Sequence, residues 1–118
     1  MASVLVGEFG AVMRLGLLGV LSDAKIACVA ESRDSRPRGL LRRLDGATAD
    51  VVVVDWDDRR YEAVTASVLA RQPELTVIAC SSERLAMRVL PAQRDRQPYE
   101  SRLSAQGLVD AVQAASAR

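Results

Sequence analysis

Val51, Val52, Val53 and Val54 are four β-branched residues in succession, and the run ends on Asp55. Two heavy atoms on Cβ favour extended backbone. An apolar run with no polar alternation reads as a strand buried on both faces. Such a strand needs helices above and below it. In an open sheet built that way, the carboxyl ends of the strands border the crevice where ligands bind. Asp55 therefore stands where a carboxylate can act as a nucleophile or hold a metal ion.

The 118 residues suffice for one domain with a core of its own. Apolar residues make up 49% and aromatics only 3%, so that core is built from Val, Leu, Ala and Ile. A net charge of +1 supplies no general attraction to nucleic acid. The chain has no histidine, which excludes histidine-based catalysis and a phosphohistidine carrier. Cys28 and Cys80 lie in apolar runs and read as small buried hydrophobes with free thiols. No apolar run approaches the roughly 20 residues of a membrane span, and no signal-peptide pattern opens the chain. These features place the protein in the cytoplasm, away from membranes.

Apolar periodicity and breakers divide the chain into alternating elements. Val4 to Val6 is a first strand, Gly10 to Ser22 a helix and Ile26 to Ala30 a second strand. Pro37 to Leu44 forms a short helix, with Pro at its start and Gly46 beyond its end. After the valine strand, Arg60 to Arg71 is helical and stops before Pro73, and Leu75 to Cys80 is a fourth strand. Ser82 to Leu90 reads as a helix with a capping serine, stopped by Pro91. Ala92 to Pro98 is a polar loop. Tyr99 to Leu103 is a fifth strand, although Glu100 and Ser101 suit a buried position poorly. Ser104 caps a last helix carrying Leu108, Val109 and Val112. Strands alternating with helices five times imply a parallel sheet.

Three stretches resemble the receiver domain of bacterial response regulators, in particular the subgroup with a helix-turn-helix output domain. They are Val4 to Phe9 followed by Met13-Arg14-Leu15-Gly16-Leu17, then Val29-Ala30-Glu31-Ser32, then Asp50 to Asp55. The likeness spans nearly the whole chain and is weakest after Pro91. It implies a flavodoxin-like, doubly wound α/β fold: five parallel strands in the order 2-1-3-4-5, helices on both faces. It also implies a role in two-component signal transduction and transcription regulation. Asp55 falls on the phosphoacceptor position and Ser81 on the switch hydroxyl. Tyr99 and Arg102 have the spacing of the switch aromatic and the lysine that follow.

The departures from that pattern carry as much information. The family holds Mg²⁺ with an acidic pair after the first strand plus the acceptor; those positions here are Glu8 and Phe9. A phenyl ring cannot ligate a hard cation that demands oxygen in near-octahedral geometry. Glu8 and Asp55 alone leave the ion short of charge, so Mg²⁺ binding is expected to be weak or absent. The lysine has no counterpart, and arginine at Arg102 is a bulkier, planar replacement. Phosphoryl transfer to an aspartate rests on positioning and charge neutralisation. Losing an acid and the lysine together points to an atypical receiver that works without phosphorylation.

Other readings of the same residues stay open. Asp55 is also placed to cap the following helix or to pair with Arg102. A phosphorylatable receiver with Asp55 as acceptor, and a sensor binding a small molecule in the acidic crevice, are the alternatives. No nucleophile–base pair and no Gly-rich phosphate loop is visible, so turnover is not expected. Arg33, Arg36, Arg38, Arg42 and Arg43 form a basic cluster diluted by Glu31, Asp34 and Asp45, which reads as a solvated face rather than a nucleic-acid site. A homodimer is expected: the resemblance implies dimerisation through the helix over 82–90, Tyr99 and the last helix, and on that helix Leu85, Met87, Val89 and Leu90 exceed what one core-facing stripe needs. The chain ends at Ala117-Arg118, where a linker to an output domain would begin in the resembled subgroup, and an output domain or a partner protein is the expected partner.

Overall fold

Among the described residues, the valine run forms the middle of a six-stranded mixed sheet flanked by four helices. The computed structural model describes residues 3–32, 37–46, 48–92 and 97–116. The elements are β1 (Ser3–Val6), α1 (Ala11–Asp23), β2 (Ala27–Glu31), α2 (Pro37–Asp45), β3 (Val51–Asp55), α3 (Tyr61–Arg71), β4 (Thr76–Ser81), β5 (Ala86–Leu90), β6 (Tyr99–Arg102) and α4 (Ala105–Ser116). The strand order is β2-β1-β3-β4-β5-β6. The first four strands are parallel, whereas β5 and β6 are antiparallel additions.

Alternation along the strands sends side chains to two separate cores. Val4, Val6, Val51, Val53, Ile78, Met87 and Val89 pack beneath α1 and α4. Leu5, Val52, Val54, Val77 and Ala79 pack beneath α2 and α3. Val51 to Val53 are fully buried and Val54 is nearly so, as a two-faced strand requires. Helices do lie on both faces. Gly7 sits where β1 leaves the sheet; its N–H donates to the Val53 carbonyl at 2.8 Å, and a Cβ there would stand 3.1 Å from that oxygen. Ser104 caps α4, its Oγ accepting the Gly107 N–H at 3.0 Å.

Two expectations are corrected. The sheet has six strands, not five, and is mixed, because residues 82–90 are not a helix. Ser82 to Leu85 form a turn, and Ala86 to Leu90 run back antiparallel to β4. The expected cap at Ser82 is not made; the neighbouring Ser81 closes the turn instead, its Oγ accepting the Arg84 N–H at 2.9 Å. The chain then reverses through Leu85, whose φ is +50°. Met87 and Val89 point into the core beneath α1 and α4, and alternate with half-buried Arg88. Period two, not 3.6, governs this segment. Tyr99 to Arg102 is a strand, but an outer one exposed along its whole length, which suits Glu100 and Ser101.

The interface expected on a helix over 82–90 falls with that helix. Met87 and Val89 are core residues, Leu90 is half-buried, and only Leu85 and Tyr99 remain exposed. On α1, Leu17 and Leu21 are buried, and the exposed apolar residues are Val12 and Leu15. Cys80 is buried as expected, but Cys28 is exposed on the outer strand β2. Of the basic cluster, Arg33 and Arg36 lie outside the described residues, as do residues 93–96 of the polar loop. Among the described residues no helix is long and apolar enough to cross a membrane.

Candidate functional site

Asp55 ends β3 at the carboxyl edge of the parallel strands, half-buried. The turn that follows is held by its own acids. Asp55 Oδ1 accepts the Asp57 N–H at 2.9 Å, and Asp58 Oδ1 accepts the Arg60 N–H at 2.7 Å. These are local side-chain turns of the kind aspartate favours. They steer the chain from β3 into α3. Burial raises the pKa of Asp55 above the ordinary carboxylate value; the Asp57 amide works against the rise, and the carboxylates of Asp57, Asp58 and Glu83 add to it. The neighbouring charges that bear on it are thus negative.

Ser81 is fully buried at the end of β4. Its Oγ–H donates to Asp57 Oδ1 at 2.6 Å. Asp57 Oδ2 accepts the Glu83 N–H at 3.2 Å and the Ser82 hydroxyl at 3.4 Å. Burial alone would raise the pKa of Asp57, but these donors outweigh it and hold the carboxyl below its ordinary value. The loop after β4 is therefore tied to the loop after β3 through Asp57. Arg84 lies over the Trp56 ring, 4.6 Å from its centroid, and makes a second tie between the same loops. Trp56 in turn stands 6.4 Å from Tyr61 at the start of α3.

Sequence reasoning names Asp55 and Ser81 but misses Asp57, the residue that joins them. The signal available was the pairing of Asp57-Asp58 after one central strand with Ser81-Ser82 after the next. In parallel neighbours those two loops must meet.

Glu8 lies beside the site, with Asp55, Asp58 and Tyr61, around a recess of about 20 Å³. That is room for a water molecule; a larger, open recess of about 420 Å³ borders Asp55 between Phe9, Val12, Met13 and Ser82. Glu8 Oε2 is buried without a hydrogen-bond partner among the described residues. Phe9 is 2% exposed and packs in the core under α1 and α4. Among the described residues no three Asp, Glu, Cys or His side chains cluster closely enough to hold a metal. The residues present do not fit the Mg²⁺ site that the resemblance implies.

Arg102 does not reach Asp55. It lies on β6, three strands beyond β3, or about 14 Å at the usual strand spacing. Tyr99 is on the same outer strand, paired with Val89. Cys80 is the register partner of Asp55 on β4. Burial, and then the Asp55 charge, push its thiol up to about 12, so it is inert near neutrality. No protein-family model matches the chain, and no curated protein matches it.

Proposed function

We propose that this chain is a phosphorylation-independent, receiver-like module that works through protein–protein contacts in signal transduction or transcription control. The sequence resemblance to receivers is one support. The parallel strand order β2-β1-β3-β4, with helices on both faces, is the order a flavodoxin-like receiver has over those strands. The hairpin β5–β6 stands where such a domain has a helix and a parallel fifth strand.

The observation that carries the reading is the wiring of Asp57. In a phosphate-driven switch the hydroxyl after β4 must be free to turn toward the acceptor. Here the Ser81 hydroxyl is bonded to Asp57 at 2.6 Å, the serine end of the bond being buried and the aspartate half-exposed. Asp55 itself is surrounded by carboxylates. An incoming phosphoryl group would bring more negative charge to a site where, among the described residues, no three acids cluster to hold a neutralising ion. The loops are held in one arrangement by contacts internal to the fold. A module so fixed acts as a constant docking unit, as a homodimer or beside an output domain or partner protein. We place it in the cytoplasm and assign it no turnover.

The test is incubation with acetyl phosphate and Mg²⁺, read by intact mass and thermal melting. The expected result is no phosphoryl adduct and an unchanged Tm. An adduct lost in Asp55→Asn would overturn the reading in favour of a working acceptor.

A further inference from the structure

The sheet ends on an open strand whose backbone and side chains fit a second copy of themselves. β6 pairs with β5 alone among the described residues, and all four of its residues are exposed. The Leu103 N–H donates to the Leu85 carbonyl at 2.9 Å, so Leu85 and Leu103 form a hydrogen-bonded pair of the antiparallel ladder. Such pairs alternate with non-bonded ones. In the register Met87↔Ser101 and Val89↔Tyr99, Tyr99 and Ser101 therefore also turn their backbone groups toward β5. Glu100 and Arg102 turn theirs outward. An edge strand with unpaired N–H and C=O groups is a template for another strand.

We propose that β6 pairs antiparallel with β6 of a second copy across a two-fold axis at Ser101, making one continuous sheet. Three features select this register. The outward groups of Glu100 meet those of Arg102 of the other copy, giving four backbone hydrogen bonds across the axis. Pro98 has no N–H and ends the ladder there. The same register puts the Glu100 carboxylate directly opposite the guanidinium of Arg102 in the other copy, twice over. A two-fold at Glu100 would oppose two glutamates, and one at Arg102 two arginines, both unfavourable. On the other face of the strand, the same register puts Tyr99, 47% exposed, opposite Leu103 of the second copy. Arg88 lies opposite Glu100 on β5, so charges alternate in sign from strand to strand across the joint.

Because the contact is the same patch on both chains, it closes at two copies. Pairing of β6 with β2, the other edge, would instead run on without closing. One short strand buries less than a standard interface of about 1,600 Å², so the association is weak. It gives the self-association of the proposed function its surface. It stands apart from that reading, since a chain that took up phosphate could still dimerise here.

The experiment is sedimentation equilibrium up to millimolar protein, with Glu100→Arg and Arg102→Glu variants. The expected result is a monomer–dimer equilibrium that each variant alone weakens by about tenfold or more. An equimolar mixture of the two variants restores it, because the mixed pair again opposes unlike charges. Both positions are exposed, and circular dichroism checks that the variants fold. Arg102→Glu, opposite Ala86, avoids a clash with Arg88 and keeps the test valid if Glu100→Arg loosens the hairpin. Amide exchange gives an independent readout: the Glu100 and Arg102 N–H groups gain protection with concentration, while the Ser101 N–H is protected throughout. A monomer at every concentration, a dimer indifferent to both variants, or species growing beyond two copies would overturn the proposal.

Discussion

At the scale of the residue, the site is a division of labour between two aspartates two positions apart. Asp57 collects donors from Ser81, Ser82 and Glu83, and its charge stabilises the fold. Asp55 has one amide to accept and three carboxylates for neighbours, and its charge destabilises the fold. An acid with a raised folded-state pKa costs nothing below its unfolded value, near 3.8. The cost builds as pH rises through that value toward the folded one, and is complete above it. For Asp57, with its lowered pKa, stability is present above the ordinary value and lost as pH falls through the folded one. Asp55→Asn keeps an oxygen for the Asp57 amide and removes the charge. It is expected to melt higher than the wild type near neutral pH, with the difference gone by about pH 3, where both states hold the proton. Melting curves across that range check it. A variant melting at or below the wild type at neutral pH would overturn the assignment of a destabilising charge to Asp55.

At the scale of the element, one segment decides the topology. Leu85 sits at φ +50°, a conformation that costs a side chain about 1–2 kcal/mol. Leu85→Gly removes that cost and is expected to stabilise the protein by about 1 kcal/mol, measured by urea unfolding. In a helix the same substitution would destabilise by about 1 kcal/mol, so the sign alone separates a turn from a helix. The period-two alternation of Met87 and Val89 around Arg88 is plain once the strand is known. From the residues alone, Leu85, Met87, Val89 and Leu90 are too dense to fix either period, and Ser82 supplies a false helix start. The elements up to β4 were readable because each has a signal of its own: the valine run, the stop before Pro73, the Gly46 beyond α2. The polar character of Glu100 and Ser101 was readable too. It marked an edge strand, which an expectation of five buried strands could not accommodate. The link from Asp57 to Ser81 was not readable, because it depends on which way two loops turn at the end of neighbouring strands.

At the scale of the whole molecule, the site cannot be separated from the core behind it. Phe9 follows Glu8 at the mouth of the crevice, where the resembled family places a second metal-binding acid. It is 2% exposed and lies with Leu17, Leu21, Leu108 and Val112 in the core that holds α1 and α4 to the sheet. Phe9→Asp would therefore do two things at once. It would open a cavity the size of a phenyl ring, worth about 3–5 kcal/mol, and it would set a carboxylate in apolar surroundings. A domain of this size has about 5–15 kcal/mol in all, so the variant is expected to lose much or all of its stability. Mg²⁺ could offset the loss only if the new acid turned outward to meet Glu8 and Asp55. That would require the end of β1 to leave the core, against the close contact of Gly7 with Val53. Melting Phe9→Asp with and without Mg²⁺ checks this. The expected outcome is a large drop in Tm that Mg²⁺ does not reverse, because the position belongs to the packing of a whole face of the sheet.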